Sequence, residues 1–208
     1  PRVTMLESVF KTDKPYDITL STALKRISEG QSKSTIEAVR SGDKKAKTSL
    51  PVVLFSGEFT SREDDQLISH SGLIVLDFDH IDVEAYKNIL CTDDHILACW
   101  ISPSGDGLKA LVRITNPERH RDHFRALQQY FDKQYNLELD SSGANESRAC
   151  FESYDEHICI KDDATAFGGM LSDEGATKNA NATILEGDFT DYQKLNIACR
   201  MIRTAQDG

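Results

Sequence analysis

Gly72-Leu73-Ile74-Val75-Leu76-Asp77-Phe78-Asp79-His80 is an apolar run that stops at two carboxylates one residue apart. A run this short and β-branched reads as a buried strand rather than a helix. Alternate strand residues share a face, so Asp77 and Asp79 project together while Phe78 turns into the core. Two carboxylates converging at a strand end repel each other unless a cation lies between them, and hard oxygen donors suit Mg²⁺ or Mn²⁺. The same letters also describe a strand that ends in a polar turn with both aspartates solvated.

On the N-terminal side of this strand, residues 1–16 read as an irregular start or a short strand. Leu20, Leu24 and Ile27 recur at helical spacing from Asp17 onward, and Gly30 is placed to end that helix. Ser34-Thr35-Ile36-Glu37 has capping-box spacing and predicts a second short helix ending near Gly42. Pro51 to Phe55 is the first expected strand.

On the C-terminal side, Asp82 is placed to cap a helix that runs through Leu90. Ile96–Ser102 and Leu108–Ile114 are strand-like runs joined by a glycine-rich tip, which predicts a hairpin. Asn116-Pro117 opens a helix that Phe124, Leu127 and Phe131 continue to about Tyr135. Leu137–Asp140, Arg148–Ser153 and His157–Ile160 are expected as short strands. Residues 172–188 are small and polar, a linker pattern, and Tyr192–Thr204 reads as a further helix.

The chain has 208 residues, 39% of them apolar and 28% charged, which suits one large domain with a sizeable core. No apolar run approaches membrane length, and the expectation is a cytoplasmic protein without a membrane partner. The net charge of −10 excludes a surface coated for nucleic-acid binding, yet residues 1–50 hold ten Lys/Arg against six Asp/Glu. Any phosphate-backbone contact therefore falls to this front segment; Lys44, Lys45 and Lys47 also fit a solvated loop. Five cysteines without a CxxC pair point to free thiols in a reducing compartment.

Two more stretches carry chemistry. In Ser102-Pro103-Ser104-Gly105-Asp106-Gly107-Leu108-Lys109, the Ser104 hydroxyl, the amides around Gly105 and Gly107, and the Lys109 ammonium can gather about one anion. A tight turn that merely needs its glycines gives the same pattern. Asp140 at an expected strand end can complete a metal site, and Arg148 can pair with a triphosphate; a turn cap and a surface ion pair are the plain alternatives. His120 and His123, three apart on a helix, read as solvated surface rather than as ligands.

Together, the strand ending in hhhDhD, the hairpin with SxSGxGhK and the later hD before an arginine-led strand resemble the three motifs of the archaeo-eukaryotic primase superfamily. The match is closer to one branch, the VirE N-terminal domain family of Bacteroides mobile-element and prophage proteins. Ser49-Leu50-Pro51, Phe55-Ser56-Gly57-Glu58-Phe59 and Ser69-His70-Ser71-Gly72-Leu73-Ile74-Val75-Leu76-Asp77 carry that closer likeness, which spans roughly residues 15–165. The resemblance implies Asp77, Asp79 and Asp140 as catalytic, metal-binding acids for Mg²⁺ or Mn²⁺. It places Ser104, Gly105, Gly107, Lys109 and Arg148 at the nucleotide. Lys109 departs from the pattern, whose second motif ends in histidine. The strand motif also occurs in haloacid-dehalogenase-type phosphatases, but those usually carry Thr or Val where this chain has Ile81, and they need no SGxG hairpin.

The expected fold is α+β, a primase-polymerase-like mixed or antiparallel sheet, partly RRM-like, with flanking helices and a small helical N-terminal module. The expected domains are 1–170, a linker at 171–190, and the start of a following helical domain at 191–208. The implied function is a primase-like nucleotidyltransferase acting on nucleoside triphosphates over a single-stranded DNA template. The other reading is a degenerate primase fold that binds nucleotide or single-stranded DNA as an accessory to a C-terminal helicase or VirE-like region.

Overall fold

The computed structural model describes residues 1–172. Most of the expected linker, the expected helix Tyr192–Thr204 and Cys199 lie outside the described residues. The described chain is a mixed α+β structure with antiparallel sheets and four α-helices.

The apolar run forms β6 (Leu73–Phe78), so the reading from Gly72 to His80 places the strand correctly. The elements before it are β1 (Arg2–Leu6), β2 (Tyr16–Thr19), α1 (Leu20–Glu29), α2 (Lys33–Arg40), β3 (Val52–Leu54), β4 (Gly57–Phe59) and β5 (Leu67–His70). After it come α3 (Val83–Thr92), β7 (Ile96–Ile101), β8 (Leu108–Arg113), α4 (His120–Tyr135), β9 (Cys150–Phe151) and β10 (Cys159–Ile160). The central sheet has the order β10-β7-β8-β6, a second sheet β2-β1-β3-β9, and β4 pairs with β5.

Both faces of β6 are covered, which is why it reads as a continuous apolar run. Ile74, Leu76 and Phe78 join Phe124, Leu127 and Phe131 of α4 in one core cluster. Leu73 and Val75 point the other way, into a cluster with Val3, Val53, Leu24 and Trp100. The front segment is therefore not a purely helical module: β1, β3 and α1 build the second layer against the central sheet. From β6 to α4 the chain follows the βαββα order of an RRM sheet, but β10 pairs with β7 instead of lying against β6. The outer side of β6 is thus left for a non-strand segment, and the Asp140 amide bonds there to the Asp77 carbonyl at 3.2 Å.

Several local expectations are revised. Residues 16–19 form a strand, because Arg2–Met5 pairs with Tyr16–Thr19, so α1 starts at Leu20, capped by Thr19, and not at Asp17. The capping box at Ser34 is not used: the N-cap falls two residues earlier, on Ser32, and α2 starts at Lys33. Leu137–Asp140 makes no strand, and the expected strands at 148–153 and 157–160 shrink to two residues each, since only Cys150–Phe151 and Cys159–Ile160 find partners. Pro117–Arg119 is a 3-10 turn ahead of α4, and α4 ends on Asn136 in the left-handed conformation. His120 and His123 are buried at 1% and 0% exposure, not solvated: His70 Nε2 lies 3.0 Å from His120 Nδ1, and His123 accepts from the Asn116 amide. No helix among the described residues is long and apolar enough to cross a membrane.

Candidate functional site

Three segments bring the acids together. Asp77 lies on the face of β6 that looks toward the second sheet, Asp79 follows the strand end, and Asp140 is drawn in by the amide bond to Asp77. One carboxylate oxygen from each lies within 4.8 Å of the others. Asp140 also does what its plainer reading requires, since it caps a 3-10 turn by accepting from the Ser142 amide at 3.0 Å.

The cations sit differently from their sequence assignment. Asp77 and Lys109 are direct cross-strand partners in the β6–β8 ladder. The buried ammonium binds Asp77 Oδ2. Arg148 Nη2 bonds Asp140 Oδ2 at 2.8 Å and reaches the same Asp77 oxygen at 3.5 Å. Both expected phosphate ligands are therefore engaged by the acids.

Charge is unevenly settled within this group. Asp77 Oδ1 is buried without a hydrogen-bond partner, and Asp79 makes no ion pair among the described residues. Although Asp79 is exposed as a residue, partial desolvation of its carboxyl by the neighbouring hairpin, then the Asp77 charge, raises it above the usual aspartate range. At Asp140 burial acts in the same direction, but the Ser142 hydroxyl and amide and the Arg148 guanidinium outweigh it and hold the group low. For Lys109, burial disfavours the charge while Cys150 and Asp77 more than offset it, so the ammonium is held above its ordinary value. A carboxylate oxygen that is buried and unpartnered beside a second, unneutralised carboxylate fits a hard divalent cation.

The hairpin tip closes over this group. Gly105 has φ +82°, and a Cβ on Gly107 would stand 2.4 Å from the Phe78 carbonyl oxygen, so only glycine lets the tip reach the end of β6. The Ser102 and Gly105 amides are spent on the turn itself, bonding the Gly107 and Ser102 carbonyls. Ser104 Oγ accepts from Lys47 Nζ at 3.2 Å.

Two cavities meet at the acids. One of about 190 Å³ runs between the acids, the hairpin and β9, and includes Lys47, Arg62, Ser102 and Phe151, none of which the motif reading assigned. A larger open groove of about 830 Å³ approaches from the α4 side, where Asp79, Asp132, Glu138 and Asp140 face a single Arg125. Lys47 was visible in the sequence only as part of a lysine run, and no local signal marks Arg62.

No curated protein and no solved structure matches the chain. A family model described as BT4734-like, N-terminal domain matches residues 45–159, a stretch that contains all three acids and the four cations around the smaller cavity. That match covers more than half of the 208 residues, and the chain belongs to the BT4734-like, N-terminal domain family, the VirE N-terminal family its sequence phrases resemble.

Proposed function

We propose that this domain is a primase-polymerase-like nucleotidyltransferase of a mobile-element replication protein. It would hold Mg²⁺ or Mn²⁺ on Asp77, Asp79 and Asp140 and take a nucleoside triphosphate at the hairpin. The observation that supports this reading is the convergence of three aspartates from separate segments, one with a buried, unpartnered oxygen. A purely structural acid cluster satisfies its oxygens from neighbouring donors. When bound, a divalent cation supplies activation of an attacking hydroxyl and neutralises charge on the departing pyrophosphate. The reaction class is displacement at the α-phosphorus: a hydroxyl oxygen bonds to phosphorus, its proton passes to solvent, and the bond to the bridging oxygen breaks. Lys109 and Arg148 orient the Asp77 and Asp140 carboxylates, while Phe78, fully buried against Phe131, seats the strand end. Template contact falls to the basic first 50 residues.

The test is nucleotide incorporation on a primed single-stranded template with Mg²⁺ or Mn²⁺. Incorporation by the wild type that is abolished in Asp77→Ala/Asp79→Ala is the expected result. Absence of incorporation by the full-length protein, under conditions where an active primase extends the same template, overturns it.

One observation favours a second reading. Lys109, standing where the primase pattern has histidine, already occupies Asp77 Oδ2. In that reading the domain binds nucleotide or single-stranded DNA without turnover, as an accessory to a helicase. Nucleotide binding with no incorporation under either cation selects it.

A further inference from the structure

We infer that the anion-holding wall of the smaller cavity is Lys47, Arg62 and Ser102, and that it takes the polyphosphate chain of a nucleotide. Lys109 and Arg148, the cations the motif reading assigned to phosphate, are spent on carboxylates. Naming the ligand as a nucleotide rests on the nucleotidyl-transfer reading; the anion wall itself rests on the side chains.

Four cationic side chains border the cavity, and they divide cleanly by partner. Lys109 and Arg148 each bind an aspartate. Lys47 has only neutral neighbours, the Ser104 hydroxyl at 3.2 Å and the Phe151 ring at 5.7 Å from its Nζ. Arg62 is half-buried, yet makes no hydrogen bond or ion pair among the described residues. Its charge therefore faces the cavity without a counter-charge among the described residues. Ser102 is the buried member: it is 4% exposed, its Oγ has no partner, and a buried hydroxyl left unpaired is costly unless a ligand completes it. Its backbone is fixed on both sides, the amide bonding the Gly107 carbonyl and the carbonyl accepting from Arg40 Nη2 at 3.1 Å, so the free hydroxyl is held in place.

The cavity lining therefore combines two acids with donors that those acids do not neutralise. A ligand that brings negative charge to Lys47, Arg62 and Ser102, and shares a divalent cation with the aspartates, satisfies both sets of groups at once. Polyphosphate has that chemistry. The larger groove does not suit it, because its lining is dominated by Asp79, Asp132, Glu138 and Asp140. The Phe151 ring beneath Lys47 gives the cavity one apolar side.

The probe is inorganic tripolyphosphate, titrated calorimetrically without metal at low ionic strength into the whole 208-residue chain. Arg62→Ala and Lys47→Ala are each expected to weaken binding at least tenfold, while Lys44→Ala/Lys45→Ala changes it less than twofold. Thermal unfolding of each variant confirms a folded protein, and Arg62→Lys, which keeps the charge but loses the fork, is expected to retain part of the affinity. Three results overturn the wall: no tripolyphosphate binding by wild type, unchanged binding in Arg62→Ala and Lys47→Ala, or equal loss in the Lys44/Lys45 variant. Arg62-dependent tripolyphosphate binding in a protein that incorporates no nucleotide supports the wall and sinks the nucleotidyl-transfer reading, so the two failures are distinguishable.

Discussion

Asp77 and Lys109 face each other across β6 and β8 as a directly opposed pair, with side chains only 13% and 9% exposed. Removing the ammonium leaves a buried carboxylate with only the longer Arg148 contact. Lys109→Met is therefore expected to destabilise the fold by about 3 kcal/mol, and Asp77→Leu/Lys109→Met to recover most of that loss. Urea unfolding checks both; additive losses in the double variant would refute a coupled pair.

Asp79 is exposed and makes no ion pair among the described residues, so its role is testable without damage to the fold. Asp79→Asn is expected to leave stability within about 0.5 kcal/mol of wild type. Calorimetric titration with Mn²⁺ should show at least tenfold weaker binding, because one of three converging oxygens loses its charge. Unchanged Mn²⁺ affinity would remove Asp79 from the proposed metal site.

The His70–His120 contact predicts an acid-side loss of stability. The Gly72 amide donates to His70 Nδ1, so the His70 hydrogen lies on Nε2 and points at His120 Nδ1. Burial, then the His120 charge, lowers His70 to about 4. Burial also lowers His120 to about 4, against opposing contributions from the Gly143 backbone and Asp64. The unfolded chain binds these protons near pH 6.5, so the stabilisation is complete above pH 6.5 and is lost as pH falls toward 4. His120 alone accounts for about 2 kcal/mol between roughly pH 6.5 and 5. Urea midpoints across that range should fall more steeply for wild type than for His120→Gln; parallel slopes would exclude the pair as the cause.

Cys91 is the thiol expected to react first among the four cysteines of the described residues. Hydrogen bonds from the Cys99 and Cys159 thiols lower it to about 6, with burial opposing and the Lys87 ammonium assisting. Cys150, fully enclosed, is pushed up to about 11, chiefly by burial. Limited iodoacetamide at pH 7, read by peptide mass spectrometry, should label Cys91 well ahead of Cys150. Equal labelling of the two would contradict the cluster.

Gly105 and Gly107 are predicted to fail differently. Gly105→Ala places a side chain at φ +82° and costs about 1 kcal/mol, leaving the tip in place. Gly107→Ala forces the tip off the Phe78 carbonyl and should lower tripolyphosphate and Mn²⁺ affinity together. Calorimetry on both variants checks this, and a Gly107→Ala protein with intact affinities would show that the close approach is not needed.

How much was legible follows the range of the forces involved. The β6 strand, the shared face of Asp77 and Asp79, the glycine-rich hairpin and the existence of α3 and α4 were readable because periodicity and turn chemistry act over a few residues. Asp140 does not stand at the strand end its sequence context predicts: it sits on no strand, and reaches Asp77 because the outer side of β6 accepts its amide. The pairing of Lys109 with Asp77 depends on the register of β8 against β6, which lie about thirty residues apart in sequence and which no local pattern aligns. Arg62 and Lys47 enter the cavity only once the two sheets are packed, and the same packing buries His120 and His123, which a helical spacing alone leaves on the surface. Local pattern along the chain marks which side chains have the chemistry to hold a cation or an anion; the packing of distant segments sets which of them neutralise one another and which are left free, because burial and ion pairing depend on residues far apart in the chain.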